Sequence, residues 1–126
     1  MNLNVNAVYV MHYKPLAERL VHINNMLSKQ GIDFEVFDGE PENNLSEYFV
    51  DDFDVRKQKL SLFPGNLPSK NVKVSEISLA YKHVLALEKM VADNVEVALF
   101  LEDDAILCEN FCAVANEYLA RTPEDW

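Results

Sequence analysis

The feature that most constrains this chain is the run Val97-Ala98-Leu99-Phe100-Leu101, apolar throughout and ended abruptly by Glu102-Asp103-Asp104. Such a run is apolar on both faces of a pleat, which suits a strand buried within a sheet rather than one with a wet side. A strand over Val95 to Leu101, central in its sheet, is predicted. Three ionised carboxylates at its end repel each other and lose hydration, and packing does not account for them. Something positive is therefore expected beside them.

The rest of the chain supplies partners for that strand. Asn6 to Met11 is a second short β-prone apolar run. Pro15 suits a first helical turn, and Leu16, Leu20, Ile23 and Leu27 recur at helical spacing until Gly31 ends the helix. Ile32 to Phe37 alternates and runs into Asp38-Gly39, so Asn6 to Asp38 reads as a βαβ unit with parallel strands. From Glu40 to Lys73 the sequence reads as an irregular insertion, with a weakly helical patch near Val50 to Leu60 and a lid-like or simply loose loop around Phe63-Pro64-Gly65. Ser75 is a good N-cap for a helix with its apolar stripe at Ile77, Ala80, Tyr81, Val84, Leu87 and Val91. A last helix is predicted over Asn110 to Arg121, stopped by Pro123. The fold class is thus α/β, with a mainly parallel sheet flanked by helices.

Composition narrows the function. The 126 residues fit one domain, and 49% hydrophobic residues are enough for a real core. With 11 Lys and Arg against 21 Asp and Glu, a phosphate backbone would be repelled, so no nucleic-acid partner is expected. No apolar run approaches the roughly 20 residues of a membrane span. The start Met1-Asn2-Leu3-Asn4 lacks a charged n-region and an apolar h-region, so no secretion signal is expected. Cys108 and Cys112 lack a CxxC or His partner and read as reduced thiols, so a cytoplasmic location is expected, with peripheral attachment at the inner membrane left open. Three isolated glycines make neither a GxGxxG turn nor a P-loop.

In an open α/β sheet, ligands bind beyond the carboxyl ends of the strands, where the acids stand. If strand geometry persisted, Glu102 and Asp104 would share one side and Asp103 the other. Hard oxygen ligands of this kind suit Mg²⁺ or Mn²⁺ bridging to a nucleotide's phosphates. The plainer alternative is a solvated acidic turn.

The ordered motifs also resemble a known family. Leu101-Glu102-Asp103-Asp104-Ala105-Ile106-Leu107 resembles the LEDD motif of family 25 glycosyltransferases, the bacterial lipopolysaccharide galactosyltransferases and their relatives. Val10-Met11-His12-Tyr13-Lys14 with Arg19 is similar to that family's V-I-N-L-K then Arg pattern, with His12 in place of Asn. Gly31 to Glu35 with Phe37-Asp38 resembles its second strand. Ser75 to His83 resembles G-E-I-G-C-A-L-S-H, keeping Glu76, Ile77, Ala80 and His83 while serines replace both glycines and Lys82 replaces the Ser. Pro123-Glu124-Asp125-Trp126 is similar to P-x-D-W-D.

The resemblance implies the nucleotide-sugar-binding half of a GT-A-like, Rossmann-like fold. The family's chains are longer, so a single truncated domain over 1–126 is expected, with the catalytic base unassigned. The implied reaction is inverting, metal-assisted transfer of a hexose, galactose by preference, from a UDP-sugar donor to a lipopolysaccharide or related surface glycan acceptor. Asp104 is then the direct ligand of Mn²⁺ or Mg²⁺, and Glu102 a second ligand or a ribose contact. His12, Arg19, Asp38, Glu76, His83 and Asp103 are the implied substrate-binding residues. Three of them have a plainer reading: Asp38 as a turn residue, His83 as a hydrogen-bonded core histidine, Arg19 as part of a solvated helix face. A truncated sheet would expose apolar surface, which leaves self-association open. Two alternatives stand beside the enzyme: a non-catalytic nucleotide-sugar-binding relative, and, less favoured, a phosphoacceptor regulator, whose acid pair would follow the first strand where this chain has His12-Tyr13.

Overall fold

The computed structural model describes residues 2–41 and 74–126. The insertion read over Glu40 to Lys73, with its helical patch and lid-like loop, lies almost wholly outside the described residues. In chain order the elements are β1 (Ala7–Met11), α1 (Ala17–Lys29), β2 (Glu35–Phe37), α2 (Val74–Ala92), β3 (Ala98–Glu102) and α3 (Phe111–Arg121). The chain divides into two compact units, Met1–Asp38 with His83–Trp126, and Gly39–Lys82, the boundary falling within α2.

In the first unit the strands form a parallel sheet in the order β2-β1-β3. Met11 at the end of β1 is in register with Phe37 on one side and Glu102 on the other, so the three carboxyl ends lie level. Val8 and Val10 pack with Ile23 and Leu27 of α1, Ile32, and Cys112 of α3, with Leu99 and Leu101 of β3 joining them. Alternation turns Tyr9 to the other face. There its ring meets Phe37 and Phe100 edge-on at 5.2 and 5.4 Å, and His83 of α2 stacks on Phe100 at 6.2 Å.

Both interior helix ends follow from local chemistry. Gly31 takes φ +67°, and the N–H groups of Gly31 and Ile32 donate to Ser28 and Leu27 carbonyls, a Schellman close in which Ile32 and Leu27 also meet in the core. Asn94, at φ 52°, closes α2 in the same way through Val91 and Met90.

Three expectations need correction. Among the described residues the central strand is β1, whose Val8 to Met11 are buried, while Ala98 to Leu101 of β3 are half-buried and pair with β1 alone. Both runs are apolar on both faces, and that pattern does not say which lies inside. Pro15 sits in the Tyr13–Leu16 turn ahead of α1 rather than in its first turn. In α2 the residues turned inward are Ser78, Lys82 and Ala86, whereas Val84, Leu87 and Val91 of the predicted apolar stripe are exposed. The competing face carries a polar cluster that satisfies itself within the second unit: Lys82 Nζ donates to Glu40 Oε1 at 2.5 Å and to Ser78 Oγ at 2.7 Å, and Ser78 Oγ donates to Glu40. A buried lysine is tolerated when so paired.

Candidate functional site

The sheet order decides where to look. From β1 the chain leaves to β2 on one side, then returns to β3 on the other, so the crevice beyond the carboxyl ends of β1 and β3 is a topological switch point, the usual ligand position of open α/β sheets. His12 and Tyr13 follow β1 there, and Asp103 and Asp104 follow β3.

The two strand ends are joined by a buried carboxylate. The Asp103 N–H continues the ladder by donating to the Met11 carbonyl at 3.1 Å, and the His12 N–H donates to Phe37 at 2.9 Å. Asp103 is 4% exposed. Its Oδ2 accepts from the Tyr13 N–H at 3.1 Å and lies 2.8 Å from His12 Nδ1; its Oδ1 accepts from Arg19 Nη1 at 3.3 Å. An ionised carboxylate only accepts, which assigns the His12 proton to Nδ1. Burial alone would raise the Asp103 pKa and is the largest single influence. Hydrogen bonds from Tyr13, His12 and Arg19, with the Arg19 charge, together outweigh it and hold the carboxyl below its ordinary value.

After Asp103 the chain turns, the Ala105 N–H donating to the Glu102 carbonyl at 3.1 Å. Strand alternation therefore stops at Glu102, and the sharing of one side by Glu102 and Asp104, which required it to persist, does not follow. Asp104 instead reaches toward Arg19, its Oδ2 lying 3.8 Å from Nη1. Glu102 and Asp104 are both exposed. The expected positive partner is thus Arg19, for Asp103 and Asp104.

Helix α1 also holds the segment that follows the acids. Arg19, His22, Met26 and Gln30 lie on one helical stripe. The His22 Nε2–H donates to the Ala105 carbonyl at 3.1 Å, Met26 Sδ accepts from the Leu107 N–H, and Gln30 Nε2 donates to the Cys108 carbonyl at 2.6 Å. Neither this stripe nor the Tyr13 backbone donor emerges from the sequence reading. The helical spacing of the four residues was visible, but the backbone they grip has no sequence signature.

Of the residues singled out from sequence, His12, Arg19, Asp103 and Asp104 are brought together. Asp38 stands at the end of β2, half-exposed, 3.8 Å from Lys14. His83 is stacked on Phe100, within β3 rather than at its end. Glu76 belongs to the second unit and is exposed.

A family model described as glycosyltransferase family 25 (LPS biosynthesis protein) matches residues 5–126. The chain belongs to glycosyltransferase family 25. Its α/β architecture, a parallel sheet flanked by helices, is that of a Rossmann-like GT-A half. No curated protein matches the chain. Among the described residues of this family 25 glycosyltransferase, no helix is long and apolar enough to cross a membrane.

The donor chemistry of the crevice bears on a divalent cation. Among the described residues no group of three or more His, Cys, Asp and Glu side chains could cage a metal. Asp103 is spent on its three donors, and His12, its Nδ1 engaged by Asp103, is buried at 3% exposure. Two exposed carboxylates, Glu102 and Asp104, are left as hard oxygen donors. Together they are too few for a structural metal, but Mg²⁺ or Mn²⁺ keep waters and take as few as one carboxylate plus substrate phosphates, which Asp104 by itself can supply.

Proposed function

We propose that this chain binds a UDP-sugar at the crevice beyond β1 and β3 and serves inverting transfer of a hexose, galactose by preference, to a lipopolysaccharide or related surface glycan acceptor. The observation that carries the reading is the coincidence of the sheet's switch point with the exposed carboxylates of the Glu102 to Asp104 segment, in a chain of this family. Asp104 would hold Mn²⁺ or Mg²⁺, with Glu102 as a second ligand or ribose contact. When bound, the cation supplies neutralising charge to the leaving diphosphate.

The chain's own residues have separable tasks. Asp103 fixes the turn that carries Asp104, held in place by His12, Tyr13 and Arg19. Arg19 brings a half-exposed guanidinium to the anionic end of the donor. Asp38 at the neighbouring strand end is placed for a ribose or base contact, as acids at such ends are in mononucleotide sites. In the transfer, the acceptor oxygen bonds to the anomeric carbon, the bond from that carbon to the UDP oxygen breaks, and the acceptor proton passes to a general base.

Calorimetric titration of UDP and UDP-galactose, with and without Mn²⁺, tests this reading. Binding that strengthens with Mn²⁺ in the wild type, and loses that dependence in Asp104→Asn, is expected. Equal binding with and without Mn²⁺ would remove the role given to Asp104, and no binding of either nucleotide would remove the donor site.

A further inference from the structure

Arg19 uses one nitrogen for two carboxylates that differ in kind. Nη1 lies 3.3 Å from Asp103 Oδ1 and 3.8 Å from Asp104 Oδ2. Asp103 is buried and fixed from its other oxygen by His12 and Tyr13, so on that side the guanidinium is tethered. Asp104 is exposed, and Arg19 is its one ionic partner among the described residues. A separation of 3.8 Å is Coulombic contact beyond hydrogen-bond range, so that contact can be given up while the tether holds. The guanidinium side chain is itself 43% exposed, and its Nη2 and Nε make no hydrogen bond among the described residues. An arginine needed only to neutralise Asp103 could turn away from Asp104; this one stands against the oxygen that a cation would need.

We propose that Arg19 is a tethered counter-ion: it holds Asp104 when no cation is bound, and gives Asp104 up when a divalent cation and a diphosphate enter together. The proposal rests on the reading of Asp104 as a cation ligand. A cation arriving alone meets a fixed positive charge a few ångströms from its ligand, which weakens its binding. A diphosphate reverses the balance, because its oxygens accept both the cation and the remaining guanidinium nitrogens while Asp103 keeps Arg19 in position. Cation and nucleotide therefore bind cooperatively, and Arg19 is the source of the coupling.

The test titrates Mn²⁺ alone, by electron paramagnetic resonance of the free ion, and then Mn²⁺ with UDP present, on wild type, Arg19→Gln, Arg19→Lys and Asp104→Asn. Arg19→Gln is expected to bind Mn²⁺ alone about two- to fivefold more tightly than wild type, the scale of a lost exposed charge contact at this distance. It is also expected to lose most of the enhancement that UDP gives to Mn²⁺ binding. Arg19→Lys keeps the charge on the Asp103 tether with a shorter reach and is expected to fall between the two; it serves as the test should Arg19→Gln fail to fold by circular dichroism. Mn²⁺ binding by a folded variant that is unchanged or weaker, or an undiminished UDP enhancement, overturns the proposal. Wild-type binding of Mn²⁺ matched by Asp104→Asn instead overturns the parent reading, and this proposal falls with it for that separate reason.

Discussion

Replacing Asp103 by Asn keeps the shape of the side chain and removes its charge. Three donors converge on this carboxylate, the His12 ring, the Tyr13 backbone and Arg19, at a site 4% exposed to solvent. Hydrogen bonds to a charged group contribute about 1.5–3 kcal/mol each against about 1 kcal/mol for neutral ones. Weakening three of them, and presenting an amide N–H to Arg19 or His12 where an acceptor stood, predicts a loss of about 2–4 kcal/mol at pH 7. That is a large share of the roughly 5–15 kcal/mol by which a domain is ordinarily stable. The sign of the pH dependence follows from the depressed folded-state pKa of Asp103. Its contribution is fully present above the unfolded carboxyl value of about 3.9 and is lost as pH falls through the lower folded value. Urea unfolding of wild type and Asp103→Asn at pH 7 and at pH 3 reads both quantities, and the gap should narrow at the lower pH. A gap under about 0.5 kcal/mol at pH 7, within the range of ordinary surface substitutions, or one equally wide at pH 3, would refute the account of Asp103 as the ionised pin between the two strand ends.

Two further outcomes test the packing. Leu27→Ala, at a fully buried position between α1 and the sheet, should cost about 2–5 kcal/mol in urea unfolding, while Val91→Ser on the exposed face of α2 should stay within about 0.5 kcal/mol; a Val91→Ser cost above 2 kcal/mol would restore the apolar stripe expected from spacing. Cys108 is exposed and Cys112 buried, so a thiol reagent should titrate one fast-reacting group in the native protein and two after denaturation; two fast thiols in the native protein would contradict the packing of α3 against β1.

Much of the secondary structure was legible from the order of residues. The β1 run, the Leu20, Ile23 and Leu27 spacing, the Gly31 close and the Pro123 stop each act through local sterics or periodicity, and each element lies within a few residues of its expected place. The α2 stripe misled because helical spacing reports which residues share a face, not which face is covered. The inward residues there include Lys82 and Ser78, polar groups that only a partner from elsewhere, Glu40, could make acceptable inside.

The sequence by itself determined that an acid cluster ends an apolar strand and that a parallel α/β sheet carries it, since both depend on neighbours along the chain. Which acid faces inward was decided by tertiary structure alone. The turn after Glu102 ended the alternation on which the pairing of Glu102 with Asp104 relied, and His12, Tyr13 and Arg19 arrive at Asp103 from 84 to 91 positions away. A buried carboxylate is stable only where donors meet it, and donors so distant in sequence become neighbours only when the sheet sets the ends of β1 and β3 side by side.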